Sequence, residues 1–400
     1  MKRILALLAC LLLLLTMTLS ASAQELPYTD IHSIRNTDAV SMLTDLELLE
    51  GNHVHAFNPG DYLTRAEVAK IAALIIDPEP VPSYDAPFYD IGRSWAKDYI
   101  SFCYERGFLA YGTGAFNPDE PVTARTMVKM LLGAIGYDLS AMQGWGWESR
   151  LDELANELRV YNGYELDYNQ PITRDYAARL ILNVLSCDAV VGYENGEPVY
   201  LEDELLNPVS VLEHRFGVIR YQQVVTANEY ADLENADAPL EAGMSKLYGH
   251  YPMYFSSGLE ALGRTVTVYL RDGQPVGVPV YDPEEFYVTV TGQESVDTLL
   301  DNGGYYLAED GRVYDNTVQT DAAALKTITD TDTVTFIDYE SDGAIDLAMI
   351  YRWKAYPVLQ SDPLVIGTDE GNQVFPGMAI APAEEIYALC LGGHWVLNIH

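Results

Sequence analysis

The chain has 400 residues, which is room for two to three domains of ordinary size and a substantial core. Its 23 Lys and Arg stand against 59 Asp and Glu, a net charge of −36, which excludes the basic footprint a nucleic-acid binder needs. With 48% hydrophobic and 20% charged residues, a disordered acidic tail is excluded as well.

The first predicted element is a signal peptide over residues 1–23. Lys2 and Arg3 give a positive start, Ile4 to Leu15 is an unbroken apolar run, and Ala21-Ser22-Ala23 is a small-x-small cleavage site, so the mature chain is expected to begin at Gln24. The apolar run is short for a membrane anchor and no stop-transfer charges follow it. Cys10 precedes most of that run, which disfavours a lipoprotein site. No later segment is apolar enough to cross a bilayer, so an exported protein free of the membrane is expected. Cys103, Cys187 and Cys390 remain, widely scattered, with no disulfide framework and no C-x-x-C spacing. Cys103 and Cys187 lie on apolar helical faces and read as small buried hydrophobes.

Three repeats follow, each predicted to be a helix, a turn rich in Gly, Asn and Pro, and a second helix opened by Thr. The first helices carry the stripes Ala39/Met42/Leu43/Leu46, Ala96/Tyr99/Ile100/Cys103 and Leu151/Leu154/Ala155/Leu158. The second helices carry Val68/Ile71/Ala72/Ile75, Met127/Met130/Leu131/Ala134 and Ala177/Leu180/Ile181/Val184. Each second-helix stripe has i, i+3, i+4, i+7 spacing and starts four residues after Thr64, Thr123 or Thr173. A lone amphipathic pair cannot bury its stripe, so three units are expected to share one helical core. The spacing does not establish whether they close into a threefold ring. Thr64 with Glu67 forms a capping box, with the Thr hydroxyl accepting from the N3 amide and the Glu reaching back to the cap.

The turns repeat too, as Phe57-Asn58-Pro59-Gly60 before Leu63-Thr64-Arg65-Ala66-Glu67 and as Phe116-Asn117-Pro118-Asp119 before Val122-Thr123-Ala124-Arg125. The third unit has Tyr168-Asn169-Gln170-Pro171 before Ile172-Thr173-Arg174-Asp175. With the starts Tyr28-Thr29-Asp30 and Phe88-Tyr89-Asp90, the turn glycines Gly51 and Gly107, Trp95 and Trp147, and Gly136-Tyr137 leading into the third unit, residues 28 to 190 resemble the S-layer homology domains of bacterial surface proteins. The units are placed at 28–78, 88–137 and 138–190.

The resemblance implies a three-lobed helical spindle that binds secondary cell-wall polysaccharide, often bearing pyruvate ketals, in grooves between repeats. It also implies that the arginine of the Thr-Arg-Ala-Glu motif contacts the acidic sugar. By position these are Arg65 and Arg174, and a guanidinium can grip a carboxylate with two parallel hydrogen bonds. In the second unit Arg125 lies one place further along the helix, turned by about 100°, and the capping Glu is lost. In the third, Tyr176 stands where Glu67 would be, beside Asp175. Polysaccharide contacts are therefore expected at Arg65, Arg174 and Arg125, with Arg125 the least suited to its groove. Residues 28 to 190 hold 12 basic and 24 acidic side chains, against 9 and 34 in residues 191 to 400, so the repeats are the less hostile half for an anionic polymer.

After an expected linker at 191–211, helical stripes give way to β-type alternation. Strands are predicted at 218–226, 265–270, 286–291, 333–339 and 345–353, with hairpin turns at Asp272-Gly273 and Asp310-Gly311. The fold class expected is α+β multidomain: an all-α three-repeat bundle, then β-rich domains at 212–282 and 283–400 built as small barrels or a sandwich. One loop, Asp338-x-Glu340-x-Asp342-Gly343-x-x-Asp346, spaces oxygen ligands as calcium loops do. Met349 stands where an EF-hand wants Glu, so the loop reads as an acidic hairpin turn or a calcium site.

His53-x-His55 has no third metal ligand, and there is no G-x-S-x-G, H-E-x-x-H or phosphate-binding Gly-rich loop. No glycosidase pair can be picked from so many carboxylates, and the 29 tyrosines fit half-buried strands. The function expected is that of a non-enzymatic, secreted cell-surface protein of Gram-positive type, held non-covalently to cell-wall polysaccharide and displaying a β-rich structural or adhesion region. It is expected to need no cofactor, to have no nucleic-acid partner and no membrane partner after signal cleavage, and to be capable of self-association in a surface layer. The alternatives are an anchored enzyme acting on polysaccharide or peptide, and a calcium-dependent interaction module.

Overall fold

The computed structural model describes residues 26–398 except 108, 110–113 and 236–238. The signal peptide expected at 1–23 lies outside the described residues. The chain forms two compact units, one made of Gln24–Arg220 with Val268–Val278, the other including Tyr221–Thr267 and Pro279–His400. No helix among the described residues is long and apolar enough to cross a membrane.

The first unit is helical. The expected pairs form α1 (Thr37–Asp45) and α2 (Arg65–Ile76), α3 (Lys97–Glu105) and α4 (Ala124–Ala134), and α5 (Trp147–Glu157) and α6 (Arg174–Leu185). Every stripe residue of the three second helices is buried. The stripes of the first helices join the same core, with Tyr99, Leu154 and Leu158 half-buried at its margin. Each first helix packs on the second helix of the repeat before it: α3 on α2, α5 on α4, and α1 on α6. The last contact closes the array.

A ring of hydrogen bonds between the extended segments just before the second helices closes it again. The Leu63 amide donates to the Ile172 carbonyl at 3.0 Å, Ile172 to Val122 at 3.0 Å, and Val122 back to Leu63 at 2.8 Å. All three residues are buried, so each amide and carbonyl finds in the neighbouring repeat the partner that burial demands. The question the spacing left open is answered: the repeats form a closed threefold ring.

The helix caps follow the sequence only in part. Thr64 accepts from the Glu67 amide at 3.3 Å while Glu67 Oε2 takes the Thr64 amide at 2.8 Å, so the capping box forms. Thr123 accepts from the Thr126 amide at 3.2 Å. Thr173 has the extended backbone of a cap, but its hydroxyl makes no capping bond. Cys103 and Cys187 are buried free thiols, and Cys390 is an exposed one.

The segment expected as a linker is folded. Strands β1 (Val190–Glu194) and β2 (Glu197–Tyr200) form a hairpin about Asn195-Gly196, whose φ values of 53° and 88° suit a tight type I′ turn. Val190, Tyr200 and Leu201 pack on the helical core, and α7 (Val211–Phe216) follows. The expected 212–282 domain is likewise divided, because Val268–Val278 belongs to the helical unit. There Val276 is buried in the helical core, and the Gly277 amide donates to the Asp45 carboxylate at 2.8 Å. Gly277 has φ 70°, and an added Cβ would lie 3.4 Å from the Met42 backbone, so glycine allows this approach.

The second unit is mainly β, its sheets curled into half-barrels. Strands β3 (Val218–Ala227) and β5 (Thr265–Arg271) carry residues of both units, and β4 (Lys246–Leu247) and β7 (Val280–Tyr281) pair with them within the second. In the helical unit the end of β5 turns at Asp272-Gly273 to pair with β6 (Gln274–Pro275). A five-stranded sheet runs β10 (Val318–Thr320), β9 (Tyr306–Asp315), β12 (Ala344–Tyr351), β11 (Thr333–Asp338), β8 (Phe286–Thr291), with β9 and β12 parallel. Its core includes Val334, Phe336, Ile345 and Ile350, with Val296 from α8 (Gln293–Asp297). A second sheet runs β15 (Gly371–Phe375), β14 (Leu364–Thr368), β13 (Lys354–Ser361), β16 (Glu385–Leu391), β17 (His394–Asn398).

Asp310-Gly311 is not a hairpin turn. Strand β9 continues through it as a bulge, Leu307 pairing with Ile345 and Arg312 with Leu347. A Cβ on Gly311 would come within 2.8 Å of the Ile345 carbonyl oxygen, so glycine serves a bulge and not the expected turn.

Candidate functional site

The geometry of the helical unit places each motif arginine against the Phe-Asn-Pro turn of another repeat. The Arg174 amide donates to Asp61 O at 2.8 Å, and the Arg65 amide to Glu120 O at 3.0 Å. Both guanidinium groups are thereby set over the turn's aromatic ring. Arg174 lies 5.0 Å from the centre of Phe57 and Arg65 4.7 Å from that of Phe116. Their Nε atoms donate to the carbonyls of the same two residues, at 3.0 and 2.7 Å.

These turns are pinned by residues to which the sequence reading gave no role. Asp30 accepts from the Phe57 and Asn58 amides, both at 2.8 Å, and Asp90 from Phe116 and Asn117 at 2.8 and 2.7 Å. Burial would lift the Asp30 carboxyl, but those amides outweigh it and hold it below its ordinary range. Asp90 is lowered in the same way, with the Arg65 charge adding to the effect. The recurrence of aromatic-x-Asp at a nearly constant distance before each turn was the available signal. The turns also need the αL backbone that asparagine tolerates, with φ 56° at Asn58 and 57° at Asn117.

Around Arg174 these parts enclose a cleft of about 430 Å³. Its walls include Glu50, Asp61, Tyr62 and Glu67 of the first repeat and Trp95 and Asp119 of the second. Trp95 and Tyr62 are 58% and 54% exposed, so their rings are open to a ligand. Arg174 Nη1 pairs with Glu67 Oε1 at 3.0 Å and Nη2 donates to Glu50 O at 2.7 Å, which leaves two of its five N–H groups for a ligand. The four carboxylates can accept from hydroxyls. The cleft thus combines one directional cation, two exposed rings and many acceptors, a set suited to a polyhydroxyl chain.

Arg65 is more lightly held. Its terminal nitrogens have no hydrogen-bond partner among the described residues, because Thr126 stands where the first repeat has Glu67. Burial lowers its pKa, with Glu120 and Asp90 opposing.

Arg125, expected as the third polysaccharide contact, is committed elsewhere. Its Nε and Nη2 donate to the two oxygens of Asp152 at 2.9 and 2.6 Å, and Nη1 donates to Asn169. The Asp152 hydrogen bonds raise its pKa. Asp175 is a closing contact of the ring: it is buried and accepts from the Arg35 and Asn36 amides, both at 3.0 Å, at the start of α1.

Of the expected calcium ligands, Asp338, Glu340 and Asp346 bring carboxylate oxygens within 4.8 Å of one another. Asp342 does not join them; its Oδ1 accepts from the Ala344 amide at 2.9 Å. Buried Asp338 is already taken by the Asp342 and Gly343 amides at 3.3 and 2.7 Å, and Asp346 accepts from Tyr339 at 2.9 Å. Burial raises the Asp346 pKa, with the charges of Asp338, Asp310 and Asp342 adding. The loop is a turn closed by its own amides, and only three of the four residues converge.

The sequence profile of the S-layer homology domain matches residues 27–69 and 87–123, the first repeat up to the opening of its second helix and the second repeat up to Thr123. No curated protein matches the chain. Residues Tyr28, Asp30, Phe57, Thr64, Arg65 and Glu67, whose contacts build the ring and its turns, all fall within the first match. The N-terminal part of this chain therefore carries S-layer homology domains, modules that in general anchor proteins to the cell wall.

Proposed function

We propose that the protein is a non-enzymatic surface protein held to a secondary cell-wall polysaccharide through the Arg174 cleft, with the Arg65 position as a second contact. The supporting observation is the closure of the ring, which brings a cation of the third repeat to the turn of the first beside the exposed rings of Trp95 and Tyr62. Four carboxylates around one guanidinium disfavour a densely charged polymer. The ligand that fits is a mostly neutral, hydroxyl-rich chain with sparse acid groups such as ketal-linked pyruvate. The β-rich unit is read as the displayed module. The Asp338 loop is read as structural, so no cofactor is required.

The test is cosedimentation of the mature protein with purified cell walls before and after the polysaccharide is stripped. The wild type should pellet with intact walls only, and Arg65→Ala with Arg174→Ala should pellet less at unchanged helix content. Equal pelleting with stripped walls would overturn the proposal.

A further inference from the structure

Trp145 is the most exposed large apolar residue described, at 99%, yet the loop that carries it is firmly held. Arg150 donates to three carbonyls of that loop: Nε to Ala141 at 2.8 Å, Nη2 to Gln143 at 3.0 Å and Nη1 to Trp145 at 3.2 Å. Lys129 Nζ adds a bond to Met142 O at 2.7 Å, and Met142 itself is buried. Gly144 and Gly146 flank the tryptophan at φ 69° and 74°, left-handed conformations that turn the chain outward on each side of it. A loop this constrained could have buried its indole. A bare aromatic ring alone is ordinary on a surface, but one whose firmly held loop also supplies a wall of a polar cleft marks a contact surface.

The neighbouring surface supplies the polar half of a site. A cleft of about 320 Å³ is lined by Gln143 of the same loop together with Arg106, Tyr137, Asp138, Leu139 and Ser140. Asp138 fixes Ser140 through its amide at 2.8 Å and its hydroxyl at 2.9 Å. The Arg106 guanidinium rests 4.7 Å from the Phe102 ring centre and has no hydrogen-bond partner among the described residues. Trp145 does not itself line this cleft but stands two residues along the loop from Gln143, which does. An apolar platform joined in this way to hydroxyl, amide and guanidinium groups matches the two faces of a pyranose ring, whose C–H face stacks on aromatics while its hydroxyls take directed bonds. An anionic lipid surface fits poorly, since a net charge of −36 opposes it and a single indole offers little area to bury.

We propose that Trp145 and the Arg106–Ser140–Gln143 cleft form a second glycan subsite, which stacks one pyranose unit of a wall glycan on the indole. It shares no residue with the Arg174 cleft and does not depend on it.

The test uses the full mature chain with two probes, polysaccharide released from purified walls and muramidase-solubilised peptidoglycan, followed by titration and by acrylamide quenching of tryptophan emission. One probe should shield the wild type from quenching. Trp145→Ala should lose the part of that shielding that is not due to Trp95 in the Arg174 cleft and raise the Kd about tenfold, while Trp145→Tyr, which keeps a stacking face, retains most affinity. Because the Trp145 side chain is almost wholly exposed and its carbonyl bond to Arg150 survives truncation, Trp145→Ala should melt with the wild type. Arg174→Lys should still show shielding of Trp145 even where wall pelleting falls. The subsite is overturned if neither probe shields the wild type, or if Trp145→Ala binds both probes with unchanged affinity. Loss of affinity in Trp145→Ala beside unchanged pelleting of Arg174→Lys would instead retain the subsite and remove the Arg174 cleft.

Discussion

Arg174→Lys separates the two tasks given to this side chain. The guanidinium makes three bonds at once, to Phe57 O, Glu50 O and the Glu67 carboxylate, and an ammonium on a longer stem can keep only one of them. The side chain is only 12% exposed and its bond to Phe57 O is half-buried and little screened, whereas Glu50 is exposed and Glu67 is 33% exposed, so those two bonds are discounted toward surface values. Losing two of the three therefore costs about 2 kcal/mol, or about 4–8 °C in the melting of a helical unit of this size. Arg65→Lys is the internal control, since only one hydrogen bond among the described residues, to Phe116 O, is at stake, with an expected loss of about 1 kcal/mol. The assay is thermal unfolding followed by helical circular dichroism, paired with wall pelleting below the transition. If Arg174→Lys melts within about 1 °C of the wild type, the bonds do not brace the cleft and the reasoning fails. If Arg65→Lys keeps its stability but loses pelleting, Arg65 is a ligand contact and not a brace.

The other predictions rest on single groups. Asp30 is held below its ordinary pKa, so its stabilising effect is fully present above the unfolded carboxylate range and is lost as pH falls through the depressed folded value; the stability gap between wild type and Asp30→Asn should shrink on acidification, and a gap that widens would refute the amide pinning. Asp152→Ala should cost about 1–2 kcal/mol, because it strands Arg125, while wall pelleting stays unchanged; reduced pelleting would return Arg125 to the binding surface. Calcium should leave the melting temperature of the wild type unchanged, and a rise of several degrees that Asp338→Asn abolishes would make the Asp338 loop a cation site. Gly311→Val should lower the melting of the β-rich unit, since its side chain would meet the Ile345 carbonyl; wild-type stability would mean that the bulge relaxes freely.

Periodicity carried the helices because a stripe such as Ala177/Leu180/Ile181/Val184 has one physical use, burial against other stripes. Strand positions were legible for the same reason, and β8 and β11 fall within a residue of the expected ranges. What the sequence hid depends on partners distant in the chain. Asp310-Gly311 has turn chemistry, and only the parallel pairing of β9 with β12 makes it a bulge. The hairpin at Asn195-Gly196 carries a strong local turn signal, but it sits where helical stripes end, a place that a linker would occupy just as well. In the cleft, Trp95 and Arg174 stood out as motif members, whereas Glu50, Asp61 and Asp119 become walls only when the ring closes.

The inequivalence of the three arginines has a single origin in helix register. At the first helical position the backbone amides of Arg65, Ala124 and Arg174 make the same kind of bond, to Glu120 O, Gln170 O and Asp61 O. The side chains at that position in the first and third repeats lie over the Phe116 and Phe57 rings. The next position is turned by about 100° and faces the first helix of the following repeat. There Asp175 accepts from the amides that open α1, Ala66 is wholly buried, and Arg125 meets Asp152 on α5. Moving the arginine by one residue therefore converts a groove cation into a strut between repeats. Asp152 gives that strut its counter-charge from within the protein, so the second repeat strengthens the ring at the place where the other two present a guanidinium to their turns.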